Sequence, residues 1–254
     1  MSDRIGSVAG AVAQRQLMAV NPAHVVPPLI LPLIFFAAFA GGLSSLGDIP
    51  EFGYPDYTAF IWVFVLFMGA SFVGVFRGIA MATDLETGFA RRLIAAAPRP
   101  VSLVLGYVLV AFMQCLLVCL VLFGVGVLAG MEVNGSVLEI AAIFALAVLL
   151  TVAVMLYSAA VALRLQNVQT GSIFMIMPVF ILLFVAPVYL PRAQLEGWLE
   201  PASGVNPLTA LFEAGRGLLI GEPESVALAF GACAAMIVVF FIFAVASLKD
   251  AGAH

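Results

Sequence analysis

Six long apolar runs joined by short polar connections dominate this 254-residue chain: Val25–Leu46, Thr58–Phe76, Val101–Gly130, Ile140–Leu163, Ser172–Tyr189 and Val226–Leu248. A helix needs roughly 20 apolar residues to cross a hydrocarbon core about 30 Å thick, and each run is near or above that length. Only 9% of the residues are charged and the mean hydropathy is +1.20, whereas soluble domains carry about 25% charged residues. The chain is therefore read as an all-α integral membrane protein of six transmembrane helices, a single membrane domain over 1–254. The third run is long enough to tilt or to project from the bilayer.

Charge sets the expected orientation. With a cytoplasmic N-terminus, Arg4, Arg15, Arg77, Arg91, Arg92, Arg99, Arg164 and Lys249 fall inside, and only Arg192 and Arg216 fall outside. Four of the acids, Asp3, Asp84, Glu86 and Asp250, lie inside and the other ten lie outside or at the outer interface. Eight basic and four acidic residues give +4 inside; two basic and ten acidic give −8 outside, matching the net charge of −4. This is a strong positive-inside bias, with both termini cytoplasmic in a multi-pass bacterial cell membrane. It offers no basic patch for nucleic acid.

Several chemistries are excluded by residue type. Lys249 is the lone lysine and has no glycine-rich loop before it, so the chain carries no phosphate-gripping G-x-x-x-x-G-K-[ST] motif. Cys115, Cys119 and Cys233 all lie within spans; Cys115 and Cys119 share a helix face, yet no histidine or carboxylate lies near them in sequence, so they read as small apolar fillers. No metal site is expected. The fragment Asp84…Gly88…Ala90-Arg91 resembles the metal-holding motif of lipid phosphotransferases only faintly, since Thr87 stands where its second aspartate belongs. A secondary transporter would need ionisable groups within its spans, and no carboxylate lies in the middle of any run.

Local signals organise the connections. Ile5, Val8, Ala9, Val12, Gln16 and Leu17 recur at helical spacing, which predicts an amphipathic interface helix over 1–22, ended by Asn21-Pro22. Pro27, Pro28 and Pro32 crowd the first span; the carbonyls they free place it against protein or a cavity, or else mark a simple kink. Phe52, Tyr54, Tyr57 and Trp62 suit the aromatic belt at the outer headgroups. Gly74 with Gly78, and Gly126 with Gly130, are small-x-x-x-small pairs expected to mark close helix packing. The 187–223 segment is too polar to span and too apolar for a solvated loop, which predicts two short helices re-entering the outer leaflet. Within it, Glu213 and Arg216 lie three apart on one helix face and can pair.

Three of these features together resemble a known family. A basic surface helix precedes the first span, and a charged helix between spans two and three carries Glu86, Gly88 and Leu93 and ends near Pro98. A block of Leu195, Gly197, Trp198, Leu199, Pro201, Asn206, Pro207, Leu208 and Thr209 lies between spans five and six. The combination is similar to the permease subunits of type-2 ABC exporters, and in its compactness to the daunorubicin-resistance permeases.

The resemblance implies a non-enzymatic permease that moves an amphipathic drug-like or lipid-like substrate out of the cytoplasm or inner leaflet. A lipid-linked polysaccharide or wall polymer is the alternative cargo. A separate ABC ATPase subunit, which binds ATP and magnesium, would supply the energy, and a second permease copy or a sister permease would complete the pore among membrane lipids. The coupling segment over 83–100 would dock on that ATPase through Asp84, Glu86, Gly88, Arg91 and Arg92. Acids before and arginines after one short helix complement its dipole and offer charged contacts. The outer segment would close the path with Trp198, Pro201, Asn206 and Pro207 as gate. Phe35, Phe36 and Phe39 of the first span, Phe64, Phe67 and Phe72 of the second, and Met175, Met177, Phe180 and Phe184 of the fifth are the candidate lining of a greasy, adaptable path.

Overall fold

The computed structural model describes residues 26–49, 52–89, 92 and 101–252. The expected interface helix over 1–22, and Arg91 with most of the 83–100 segment, lie outside the described residues. Within them the chain is helical, with no strand: α1 Pro27–Gly42, α2 Tyr57–Glu86, α3 Val101–Leu128, α4 Val137–Leu165, α5 Val168–Val185, α6 Leu199–Val205, α7 Pro207–Ile220 and α8 Val226–Gly252. Short 3-10 turns at Ser44–Asp48 and Arg192–Gln194 join them.

Five of these helices, α2, α3, α4, α5 and α8, are long and apolar enough to cross a membrane. Helix α1 is not. At 16 residues and 1.5 Å per residue it reaches about 24 Å, short of the ~30 Å core. The run expected to continue to Leu46 stops at Gly42 because Leu43 leaves helical geometry (φ −126°, ψ 14°) and the chain tightens into a 3-10 turn. Among the described residues, five of the six expected spans are thus long enough to cross, and the first is represented by one short apolar helix.

Helix α2 is the axis of the bundle. It packs on α1, α3, α4, α5 and α7, and its apolar residues are buried on every face. Asp56 starts it as N-cap, accepting from the Thr58 and Ala59 amides at 2.7 and 3.2 Å. The helix runs ten residues beyond its expected end at Phe76, because the polar groups that follow find partners inside the protein. Helix α4 is the second organiser: a Ser136–Glu139 capping box starts it, and α2, α3, α5, α7 and α8 pack on it. Helix α8 packs on α4 and α7, and leaves most of its own surface exposed.

The prolines of α1 settle its orientation. Pro28, Pro32 and Phe36 form its buried edge, and α1 packs on α2. Pro32 cannot donate to the Pro28 carbonyl, and that carbonyl lies 3.3 Å from the place a Cβ on Gly69 of α2 would occupy. The proline edge faces protein. Gly74 and Gly78 likewise let α2 meet α4: a Cβ on Gly74 would lie 2.8 Å from the Val154 Cβ, and one on Gly78 2.1 Å from the Ser158 Cβ. The second pair splits. Gly126 makes room for the Trp62 ring, whereas Gly130, at φ +86°, is the residue of a turn.

Trp62 corrects the expected belt. It is wholly buried, and its indole N–H donates to the Leu122 carbonyl at 2.8 Å. Phe52 and Tyr57 are buried too, in ring contact with Phe60. The aromatics after α1 are thus part of the core, since the bundle supplies both the apolar walls and the acceptor that an indole needs.

Candidate functional site

At the Glu86 end of the bundle, α2 and α3 share a buried polar seam. Arg77 and Asp84 stand seven residues apart on α2, and Tyr107 and Gln114 stand seven apart on α3, so each pair lies on one face two turns long. The seam brings them into register: the Arg77 Nε–H donates to the Gln114 Oε1 at 2.6 Å, and the Tyr107 hydroxyl donates to the Asp84 carboxylate. All four are buried. Cys115 and Cys119, one turn apart on α3, are buried nearby with sulfurs 3.9 Å apart.

Asp84 and Glu86 therefore belong to the last turn of α2 rather than to a separate short helix. Asp84 faces the protein interior. Glu86 is exposed and accepts the Val168 amide at 2.5 Å, which places its carboxylate at the N-terminus of α5 beside the N-cap Asn167. Gly88, at φ +75°, turns the chain away, and Arg92 is exposed.

In the middle of the bundle, aromatic rings from α1, α2 and α5 meet. Phe72 lies 5.2 Å from Phe180, which stacks on Phe184 at 5.9 Å. Phe184 contacts Phe35 at 6.1 Å and Phe64 at 6.0 Å, and Tyr189 at 6.4 Å. Phe39 adds a contact to Tyr189 at 5.3 Å, while Phe64 and Phe67 reach Phe212 of α7. Seven of the ten candidate lining residues are thus joined in one column. Phe36 and Met175 are buried, Phe36 on the proline edge of α1 and Met175 on the buried edge of α5. Met177 points away from the column and is 54% exposed, with Ile173 and Ile181 on the same face.

The Tyr57 end is capped by the 187–223 segment. Asn206 is its pivot: buried, it accepts the Leu208 amide at 3.0 Å as N-cap of α7 and donates to the Leu182 carbonyl of α5 at 2.6 Å. Pro207 takes the first position of α7, where no amide donor is needed. Trp198 and Pro201 are exposed, Trp198 by 73%. Of the four proposed gate residues, then, Asn206 ties the segment to the bundle, Pro207 starts α7, and two stand at the surface.

Arg216 can pair with Glu213 by its spacing, but in the structure it does something else. Its guanidinium is buried and donates to the carbonyls of Pro187 (2.7 Å), Val188 (3.3 Å) and Phe60 (3.3 Å), lying 3.4 Å over the Phe60 ring. Glu213 sits 4.0 Å from Arg192 instead. Pro187 and Val188 follow the end of α5, where helix geometry no longer uses their carbonyls, so a forked donor satisfies what would be orphaned acceptors. The Tyr54 hydroxyl donates to the Arg216 carbonyl at 3.0 Å. Burial pushes that phenol above the usual tyrosine range, so it stays a neutral donor. Opposite, the amides of Asn134 and Gly135 donate to the Leu219 carbonyl, tying the α3–α4 turn to the same cap.

A profile of the ABC-2 type transporter family matches residues 8–220, which takes in α1 to α7. The chain belongs to the ABC-2 type transporter family. A comparison with curated proteins gave no match. This ABC-2 protein is accordingly the multi-pass membrane component of a transporter, in a family whose permeases are generally non-catalytic and normally work with an ATPase subunit. Its seam residues Arg77, Tyr107 and Gln114 escape a reading by hydropathy, yet the seven-residue repeat on both helices is a signal that was present in the sequence.

Proposed function

We propose that this ABC-2 permease exports an amphipathic drug-like or lipid-like substrate, energised by a separate ATPase subunit that binds ATP and magnesium. The observation that carries this reading is the aromatic column of Phe35, Phe39, Phe64, Phe72, Phe180 and Phe184. Its rings, 5.2 to 6.1 Å apart where they meet, offer polarisable apolar surface without a charge to bind, which suits greasy cargo. The rings fill the column, so passage requires them to part, and movement of α5 against α1 and α2 is the simplest way. The 187–223 segment then acts as the outer closure, hinged at Asn206-Pro207, with both termini cytoplasmic and the short α1 completing a sixth crossing by locally thinning the bilayer.

The ATPase docks on the connection between α2 and α3 through Glu86, Gly88, Arg91 and Arg92. Asp84 serves from inside, since its bond with Tyr107 fixes the root of that connection on two helices at once. A second permease copy or a sister permease completes the translocation unit. Reversing both charges in a Glu86→Arg, Arg91→Glu double variant should uncouple transport or weaken assembly, with an effect of about 5- to 150-fold, while leaving membrane insertion intact.

The test uses inside-out vesicles containing the chain with a co-expressed ATPase subunit and daunorubicin as the fluorescent cargo. ATP-dependent uptake that vanishes without either protein is the expected result. Uptake driven by a proton gradient in the absence of ATP would sink the reading.

A further inference from the structure

A second apolar space lies on the opposite side of α5 from the aromatic column. It is a cavity of about 60 Å³ that opens between α5 and α8, with α4 behind it. Leu150 and Val154 of α4, Val179 of α5 and Leu208 of α7 form its buried back wall; Pro178 and Leu182 of α5 and Met236 and Phe240 of α8 stand half-buried at its mouth. Both hydroxyls on its walls are already used. Ser71 donates to the Phe67 carbonyl at 2.8 Å and Tyr157 to the Phe174 carbonyl at 2.6 Å. The second bond follows from Pro178, which has no N–H to give Phe174. The proline thus lets α5 bend beside the cavity without leaving an orphaned carbonyl.

Depth decides what can fill the space. Ser71, Pro178 and the Met236–Phe240 turn lie near the midpoints of α2, α5 and α8, so the cavity falls within the hydrocarbon core rather than at an interface. Water is absent at that depth, and an unfilled apolar void forfeits packing contacts along its whole lining. Flanking the mouth, Ile181 of α5 and Val239 of α8 are 58% and 59% exposed, so hydrocarbon tails lie beside the opening. We propose that this cavity is a lateral binding site for the terminal methylenes of a lipid acyl chain, whose headgroup stays at the interface. It selects for a methylene chain because nothing on its walls can answer a polar group. It is separate from the column, since Phe180 and Phe184 lie on one side of α5 and Pro178 and Leu182 on the other.

The full chain, reconstituted in phosphatidylcholine bilayers, tests this with a phosphatidylcholine carrying a diazirine near the terminal methyl of one acyl chain. After irradiation, adducts should map to buried Leu150 and Val154 at levels comparable with exposed Ile181. In Leu182→Trp, and independently in Met236→Trp at the other lip, adducts on Leu150 should fall at least tenfold while those on Leu117 and Leu120 of α3 stay unchanged. Wild-type adducts confined to exposed residues such as Ile181 and Leu120 would overturn the site, as would Leu150 labelling that persists in both filled variants. Cross-links joining two copies through Met236, in place of lipid adducts, would assign the mouth to a subunit interface and overturn it too. The readout is independent of transport, so its failure leaves the export reading standing.

Discussion

Two arginines of this protein are equally hidden, at 4% and 5% exposure, and the two ends of the bundle accommodate them in different ways. Arg77 is met by a side chain, the Gln114 amide, from a neighbouring regular helix. Arg216 is met by three main-chain carbonyls and an aromatic face. Helix carbonyls are mostly committed to their own ladder, so a charge between two intact helices needs polar side chains in register. A charge beside a helix end can use the carbonyls left over there. The first arrangement depends on which rotamers two helices present to each other; the second nails one segment to another. The Arg216 end therefore holds the cap on α5 and α2.

The largest expected effect breaks the Arg216 end. Arg216→Ala strands the Pro187 and Val188 carbonyls in the interior, which should destabilise the fold by about 3 kcal/mol or more. Arg216→Lys should fail to restore it, because an ammonium cannot reproduce the fork. Thermal unfolding followed by a thiol-reactive dye reads this directly, since Cys115, Cys119 and Cys233 are free and buried. A lysine variant as stable as wild type would remove the distinction between the two ends.

At the other end, the Asp84–Tyr107 contact should show itself as coupling. A cycle of Asp84→Ala, Tyr107→Phe and the double variant should give an interaction energy of about 1 to 3 kcal/mol in the same assay. Strictly additive losses would mean that the seam is a row of independent polar groups.

Asn206→Ala sharpens the comparison within the cap, removing both the α7 N-cap and the bond to Leu182. A loss of about 1 to 2 kcal/mol is expected. Trp198→Ala, at a site 73% exposed, should change stability by no more than about 0.5 kcal/mol. If the two variants were equal, Asn206 would not be the pivot of this segment.

Much of the fold could be read from the runs of apolar residues, and its errors are physical. The expected second span stops at Phe76 because hydropathy drops at Arg77, yet α2 continues to Glu86. A neighbour's side chains supply there what water would otherwise supply. The first span ends earlier than expected for the opposite reason: Leu43 and Leu46 extend the apolar run, but the backbone turns there. Of the candidate lining, Met177 and Met175 are indistinguishable by composition, and only the packed face of α5 separates them.

By itself the sequence determined the solvent this chain folds in and the rough placement of its long helices. These depend on local quantities: transfer of apolar side chains out of water and the geometry of proline. The tertiary structure decided which partner each buried polar group takes, that Trp62 belongs to the core, that Arg216 grips carbonyls rather than Glu213, and which phenylalanines stand together. Such choices depend on residues far apart in the chain arriving within hydrogen-bond or van der Waals distance, as Arg216 and Phe60 do across 156 positions. A pattern of hydropathy carries no term for that separation, whereas the energy of a buried charge depends on little else.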